Sequence, residues 1–211
     1  TVTEDMTLYA HWDINSYTIT FDSKGGSSVE SKTAEYNSTI TAPVNPTRTG
    51  YTFVGWYKDE ALTSAWNFDS DVVTANATLF AKWNVNAYIV SFDSQGGSNV
   101  NYIEANYGST ITRPADPTKM GYTFVGWYRD QALSNEWNFS TDIVTNHMYL
   151  YAKWIINTYT VTFNTQGGSA VSNVTASYNS TIAVPSAPTR IGYTFDGWYK
   201  EAGCVKIGRA S

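Results

Sequence analysis

The feature that most constrains this chain is an eight-residue sequence that occurs three times at a constant spacing. Gly-Tyr-Thr-Phe-Val-Gly-Trp-Tyr begins at Gly50 and at Gly121, and it returns at Gly192 with Asp196 in place of valine, a step of 71 residues each time. A tryptophan recurs at the same step, as Trp12, Trp83 and Trp154. Self-similarity at a fixed period indicates a repeat architecture. We therefore interpret the chain as a tandem array of small domains.

The period also predicts the domain boundaries. A strand that begins at Thr1 and ends at Trp12 matches the ends of the later units, so we predict that it is the last strand of a preceding repeat. The remaining predicted segments are repeat unit 1 at 13–83, repeat unit 2 at 84–154, a truncated unit 3 at 155–200 and a non-repeat tail at 201–211. The connections are too short for a flexible coil, and each unit adds roughly 25–30 Å, so we expect an elongated array.

Each unit is close to the smallest size at which a chain builds its own core. A domain of about 60 residues hides only roughly 60% of the surface that its unfolded chain exposes. Disulfides do not compensate, because the chain has one cysteine, Cys204, in the predicted tail. Aromatic rings do, since each buried ring removes about 150–250 Å² from water. The predicted core positions are Trp56, Trp83, Trp127, Trp154, Trp198, Phe21, Phe92 and Phe163.

The local patterns predict β-rich units with little helix. Residues 17–21 read Tyr-Thr-Ile-Thr-Phe, the alternation typical of a strand with one buried face. The Gly-Gly pair within 22–27 predicts a hairpin turn, and Gly55 inside the predicted strand at 51–57 predicts a bulge or a close approach of the backbone. Pro43 and Pro46 permit one or two helical turns at most between these strands.

Together these motifs resemble the B-repeat of internalin-type bacterial surface proteins, also called the Listeria-Bacteroides repeat. The motifs that carry the resemblance are Tyr-Thr-Val-Thr-Phe at 159–163, Pro-x-x-Pro-Thr-Arg-x-Gly at 43–50, Trp-Asn-Phe at 66–68 and Leu-Tyr-Ala-Lys-Trp at 150–154. The resemblance implies a small ubiquitin-like β-grasp unit, and hence an α+β, β-dominated fold. It also implies a tandem spacer or stalk on an exported bacterial protein at the cell wall, and it brings no catalytic residue with it.

The polar residues give no persistent reactive cluster. A net charge of −5 without a Lys/Arg cluster argues against nucleic-acid binding, and no apolar run is long enough for membrane insertion. His11 and His147 fall at different positions of the repeat, which argues against a shared metal site or base. Asp22 and Asp93 are replaced by Asn164 in the third unit, so no carboxylate pair persists. We predict a chain that is not an enzyme and carries no cofactor or metal.

Two weaker possibilities remain among the charged residues. One is a calcium ion bound by Asp59, Glu60, Asp69 and Asp71, although the spacing of these carboxylates lacks the pattern of a calcium loop. A Lys–Asn crosslink at Lys82 or Lys153 would remove about one ammonia per unit from the intact mass, which makes that hypothesis testable.

The tyrosines that follow the core tryptophans are candidate ligand-contacting residues. Tyr57, Tyr128 and Tyr199 recur once per unit, and surface aromatics form hot spots for partners. Host glycans or host proteins are the predicted partners, and weak binding would be multiplied along the array. The alternative interpretation is that these rings are half-buried and only stabilise the units.

The two ends of the chain suggest self-association. The segment from Thr1 to Trp12 is a last strand without its domain, and unit 3 is a domain without its last strand. An orphan strand and an open sheet edge are complementary. We hypothesise head-to-tail chains in which this strand completes unit 3 of a neighbour. The alternative is that both ends fray.

Overall fold

The structure is a computed structural model that describes residues 1–201. The described residues form ten β-strands: β1 (Ser16–Asp22), β2 (Lys32–Glu35), β3 (Tyr51–Tyr57), β4 (Ala77–Val85), β5 (Ala87–Asp93), β6 (Ile103–Asn106), β7 (Tyr122–Tyr128), β8 (Met148–Ile156), β9 (Thr158–Val161) and β10 (Val174–Ser177). Of the predicted tail, residues 202–211, which include Cys204, lie outside this range.

The predicted α+β class and the ubiquitin-like β-grasp unit are wrong. No helix occurs between residues 1 and 201, so the described fold is all-β. The segment between β2 and β3 is irregular because Pro43 and Pro46 lack N–H donors and keep the preceding residues extended. Backbone hydrogen bonds from Asn37 N–H to Val73 O (2.8 Å) and from Val73 N–H to Ser38 O (2.9 Å) hold the start of this segment instead.

The strands form three sheets with a repeated order. The first sheet has the order β2-β1-β4-β3, the second has β6-β5-β8-β7, and the third contains only β10 and β9. In the first sheet, β1 runs parallel to β4, with Ile19 opposite Ala77 and Phe21 opposite Leu79. β3 runs antiparallel to β4 on its other side. The last strand of this repeat therefore occupies the inside of the sheet rather than its edge.

The predicted hairpin and bulge are both confirmed. β1 and β2 form an antiparallel hairpin whose turn contains Lys24 and Gly25 at positive φ. The register between β3 and β4 shifts between Phe53 and Gly55, and the same shift occurs between β7 and β8. The bulge turns the tryptophan that follows Gly55 towards the core, where it is buried.

A compact apolar core lies within the first sheet and its connections. Its buried members are Ile19, Ile40, Trp56, Val73, Leu79 and Ala81. Rings that include Phe21, Phe53, Trp66 and Trp83 pack around them. Ile40 and Val73 belong to the irregular connections, so these segments contribute to the core although they are not strands.

The internal contacts group the chain into two compact units. The first comprises Thr1–Ser91, Tyr102–Arg113 and Asn138–Met148, and it contains the first sheet and the β5–β6 hairpin. The second comprises Phe92–Asn101, Pro114–Trp137 and, of the described residues, 149–201, and it contains the paired strands β7–β8 and β9–β10. The boundaries inferred from the sequence period stay a prediction. Among residues 1–201 no helix has the length and apolar character needed to cross a bilayer.

Candidate functional site

The aromatic residues predicted for the core occupy equivalent places in the three repeats. Trp56 and Trp127 are buried, and Trp198 is half-buried. A phenylalanine packs on each of them with a ring-centroid distance of 4.8 Å, in the pairs Phe21–Trp56, Phe92–Trp127 and Phe163–Trp198. These contacts stabilise the units, and burial leaves the rings of Trp56 and Trp127 little surface for a ligand.

The tryptophans at the ends of β4 and β8 explain the Gly-Gly pairs. Trp83 Nε1 donates a hydrogen bond to Ser23 O at 2.9 Å, and its ring lies on Gly26, where a Cβ would be 2.5 Å from Cζ2. Trp154 makes the same contacts with Ser94 O and Gly97. At Gly26 and Gly97, the second glycine of the pair is therefore required by a close ring contact, in addition to the turn that the sequence predicts.

The tyrosines predicted to contact a ligand are partly covered by lysines of their own repeats. Lys82 Nζ lies 4.8 Å from the ring centroid of Tyr57, and Lys153 Nζ lies 4.6 Å from that of Tyr128. A ring face under an ammonium group is not available for stacking on a sugar. The crosslink hypothesis needs the same two ammonium groups beside asparagine side chains, whereas these contacts place them over rings.

The three tyrosines also differ in exposure. Tyr57 and Tyr199 are half-buried, but Tyr128 is only 7% exposed. Glu136 Oε1 lies against Gly126, 2.8 Å from the position of an added Cβ, and the Tyr128 ring borders the same spot. In the first repeat Ala65 stands at the position of Glu136, and nothing lies within 4 Å of the equivalent point on Gly55. Ligand contact by these tyrosines stays a prediction.

The two histidines have separate surroundings. His11 Nδ1 lies 3.8 Å from the Asp13 carboxylate, and both side chains are exposed. His147 Nδ1 accepts a hydrogen bond from Ile89 N–H at 3.0 Å, as Asn76 Oδ1 accepts one from Thr18 N–H in the first repeat. Between residues 1 and 201 no group of three or more His, Cys, Asp or Glu side chains is arranged to hold a metal ion.

The acidic residues considered for calcium close loops. Asp59 accepts hydrogen bonds from the backbone N–H groups of Thr63 and Ser64, at 3.0 and 2.8 Å, and these bonds hold the pKa of its carboxyl below the ordinary value. Asp71 lies 2.7 Å from Lys58 Nζ, and that ammonium group together with the N–H of Asn67 lowers the pKa of Asp71. Both carboxylates serve as acceptors inside their own loops.

The arrangement with the clearest functional geometry is the connection between β4 and β5, which consists of one residue, Asn86. Asn86 N–H donates to Gly50 O at 2.9 Å, and Asn86 O accepts from Tyr107 N–H at 2.8 Å. The side-chain Oδ1 of Asn86 accepts from Thr52 Oγ1 at 2.7 Å. Both backbone groups and the side chain of the connecting residue are therefore hydrogen-bonded.

A ring contact completes this junction. The ring of Tyr107 lies on Gly50, which has a φ of +78°, so closely that a Cβ there would be 2.1 Å from two ring carbons. The Tyr107 ring also meets Tyr51 and Tyr88 edge to face, at centroid distances of 6.2 and 6.4 Å. Glycine is required at this position both for its backbone conformation and for the approach of the ring.

The connection between β8 and β9 repeats the junction. Asn157 N–H donates to Gly121 O at 2.8 Å, and Asn157 O accepts from Tyr178 N–H at 2.7 Å. Thr123 Oγ1 donates to Asn157 Oδ1 at 2.7 Å. The Tyr178 ring lies on Gly121, where a Cβ would be 1.9 Å from Cδ1. One design of connection therefore occurs twice, with the same four residue types.

The sequence predicts a short, stiff connection at 84–87, which contains Asn86, but it does not predict that Gly50, Thr52 and Tyr107 take part in it. Their signal is the shared step of 71 residues, in the series Asn15, Asn86 and Asn157 and in the series Tyr36, Tyr107 and Tyr178. Each tyrosine follows its asparagine by 21 positions, so the two residues do not form a local motif that the sequence would reveal.

Comparison with known proteins agrees with this repeat organisation. The model of the Listeria-Bacteroides repeat domain matches three stretches of the chain, residues 17–82, 88–153 and 159–207. Two similar proteins come from Evansella cellulosilytica: one named "Putative membrane protein", 52% identical over 93% of this chain, and one named "Putative Gly-rich membrane protein", 50% identical over 94%. Internalin H of Listeria monocytogenes is 35% identical over 74% of this chain.

The chain spans 30%, 23% and 27% of the length of these three relatives, so each relative contains much that this chain does not match. The family match covers most of the chain, and the similarity to Internalin H confirms the internalin-type resemblance. This chain belongs to the Listeria-Bacteroides repeat family.

Proposed function

We propose that this chain is a non-catalytic spacer, or stalk, segment of a bacterial surface protein that is exported and held at the cell wall. In this role it keeps an adhesive domain of the parent protein at a distance from the wall. Family membership supports a repeat module of this kind, and the names of the relatives, two membrane proteins and an internalin, support a location at the cell surface.

The observation that carries the proposal is the repeated one-residue junction. A spacer transmits distance only if its connections resist bending, and flexible linkers do not. At Asn86, two backbone hydrogen bonds and one side-chain hydrogen bond fix the connecting residue, and the Tyr107 ring is seated on Gly50. Each such hydrogen bond contributes about 0.5–1.5 kcal/mol, so bending the connection would cost several interactions at once.

Insertion of Gly-Ser-Gly-Ser between Asn86 and Ala87 tests the stalk. NMR relaxation of backbone amides reports how β1–β4 and β7–β8 tumble, and small-angle scattering reports the maximum dimension. We expect a common correlation time in the native chain and two shorter ones after the insertion. The matched control carries the same four residues between Val44 and Asn45, in an exposed loop. Independent tumbling in the native chain would refute the proposal.

Direct ligand binding through Tyr57, Tyr128 and Tyr199 is the alternative function. It is a weaker proposal than the spacer because lysine ammonium groups lie over two of these rings and Tyr128 is buried. Binding of the chain to host glycans or cells, abolished by Tyr57→Ala and retained in a Tyr36→Ala control, would favour it over the spacer.

A further inference from the structure

The first and last strands of the first repeat are parallel neighbours. β1 begins this repeat and β4 ends it, and the two are joined by consecutive registered pairs, from Ile19–Ala77 to Asp22–Phe80. Because the strands are parallel, the chain enters this ladder at the N-terminal end of β1 and leaves it at the opposite end, through the C-terminal end of β4. Tension on the chain therefore pulls β1 and β4 in opposite directions along their own length.

This direction of pull loads the whole ladder together. In a parallel pair of strands the backbone hydrogen bonds are evenly spaced along the strands. A pull along the strands strains all of these bonds at once, whereas a pull across the strands separates one pair before the next. The load between β1 and β4 is therefore shared by four registered pairs.

A side-chain hydrogen bond extends the ladder at its start. Thr18 N–H donates to Asn76 Oδ1 at 2.7 Å, one position before the first registered pair. In the second repeat, Ile89 N–H donates to His147 Nδ1 at 3.0 Å at the equivalent place. The same additional bond is thus made in the first two repeats with different acceptors.

The paired strands also contain the centre of the core. Ile19 of β1 and Leu79 of β4 are each 1% exposed, and both belong to the buried cluster. On the exposed face of the same strands, Thr20 Oγ1 lies 2.8 Å from Thr78 Oγ1 and shares a hydrogen bond with it. Sliding β1 along β4 would therefore break this bond and disturb the apolar contacts, in addition to breaking the backbone ladder.

The other side of β4 is also paired. β3 runs antiparallel to β4 and is joined to it from Tyr51–Val85 to Tyr57–Phe80. β3 therefore keeps β4 in the sheet, and the load falls on the pair of β1 and β4. Only Asn86 separates β4 from β5, so tension on the chain reaches β4 without passing through a flexible linker.

We propose that the paired segments 18–22 and 76–80, which we call the clamp, bear tensile load and keep the first repeat folded when the parent protein is pulled. The proposal rests on the spacer function, because a segment between an adhesive domain and the wall comes under tension when that domain holds its target. It adds a second property to that function. The junction at Asn86 resists bending, whereas the clamp resists extension.

Single-molecule force spectroscopy of the full chain tests the clamp through the direction of pull. Cys204→Ser removes the native thiol, and Ser16→Cys with Asn84→Cys places handles at opposite ends of the ladder. The matched control combines Ser16→Cys with Ala75→Cys, which places both handles at the same end. All three handle positions are exposed. With handles at opposite ends, the force that unfolds the first repeat should be about twofold higher or more, because four pairs share the load.

Single substitutions test whether contacts within the clamp carry this load. Thr20→Val removes the hydroxyl that bonds Thr78, so with handles at opposite ends it should speed unfolding at constant force about two- to tenfold. Thr41→Val is the matched control. It removes an exposed hydroxyl that accepts a hydrogen bond from Lys32 Nζ outside the clamp, and it should leave this rate unchanged.

Equal unfolding forces in the two directions of pull would overturn the proposal, and so would a Thr20→Val variant that unfolds no faster than Thr41→Val. Neither result would affect the spacer function, which depends on a common correlation time in the native chain. Independent tumbling together with unequal forces would have the opposite meaning, because it would refute the spacer and leave the load-bearing ladder in place.

Discussion

The ring of Tyr107 lies on the main chain of Gly50, and one carbon atom added to this glycine would be 2.1 Å from two atoms of the ring. Gly121 has the same relationship to Tyr178, whereas Gly192 has a similar φ but no close neighbour. Substitution of these three glycines can therefore distinguish two contributions to stability: the free energy of a left-handed backbone conformation, which all three positions share, and that of displacing a ring, which applies to Gly50 and Gly121 only.

Alanine at Gly50 should destabilise the junction more than alanine at Gly192. A left-handed conformation costs an alanine roughly 1–2 kcal/mol at either position, and displacement of a packed ring adds about 1–3 kcal/mol at Gly50 only. Urea unfolding and the NMR signals of Asn86 and Tyr107 are the measurements. Equal losses of stability in the two variants would show that the ring contact contributes nothing.

The side-chain hydrogen bond between Thr52 and Asn86 should contribute about 0.5–1.5 kcal/mol to stability. A double-mutant cycle with Thr52→Val and Asn86→Ala measures this coupling in the free energy of unfolding. Thr123 and Asn157 form the same bond, so a second cycle there should give a similar value. Strictly additive losses in both cycles would contradict the role assigned to this bond.

The sequence predicts the strands well because they depend on local patterns. Alternation at 17–21 and the glycine at Gly55 act through neighbouring residues, and the hairpin and bulge are found where they are predicted. The helix implied by the family resemblance is absent among residues 1–201, and the two prolines of the β2–β3 connection supply the physical reason. Here the local chemistry is the better guide.

The junction lies beyond local reasoning for a different reason. Gly50 and Tyr107 come into contact only in the folded chain, and the residues next to each of them in the sequence do not predict this contact. The burial of Tyr128 is also not predictable from its sequence neighbours. It occurs where Glu136 lies beside the ring, and the first repeat has alanine at the position of Glu136. Contacts of this kind follow from packing, which the repeat period alone does not determine.

Exchange of Glu136 and Ala65 between repeats should exchange the exposure of the two tyrosines. Glu136→Ala removes the side chain beside Tyr128 and should raise its exposure to that of Tyr57, whereas Ala65→Glu should lower that of Tyr57. Nitration by tetranitromethane, read by peptide mass mapping, measures the change. Unaltered nitration of Tyr128 in Glu136→Ala would show that other groups cover the ring.

The Asp59 and Asp130 loops should lose stability in acid. Backbone N–H groups lower the pKa of both carboxyls, those of Thr63 and Ser64 at Asp59 and chiefly that of Ser134 at Asp130. The folded pKa lies below the unfolded value of about 3.9. Their contribution is therefore complete above that value and disappears as the pH falls through the folded pKa. Carboxyl carbon NMR should show both midpoints below about 3.9, and midpoints at or above it would contradict the hydrogen-bonded loops.

Asparagine should replace His147 with little loss, because Asn76 performs the same task in the first repeat. His147 Nδ1 accepts from Ile89 N–H, and the ring also meets Tyr88 edge to face at 5.3 Å. His147→Asn keeps an acceptor and should change the free energy of unfolding by about 0.5 kcal/mol or less. His147→Ala leaves the N–H to water and should cost about 0.5–1.5 kcal/mol. Hydrogen exchange at Ile89 should be faster in His147→Ala than in His147→Asn. Equal exchange in the two variants would mean that the imidazole nitrogen does not protect this amide, and that the histidine acts through its contact with Tyr88.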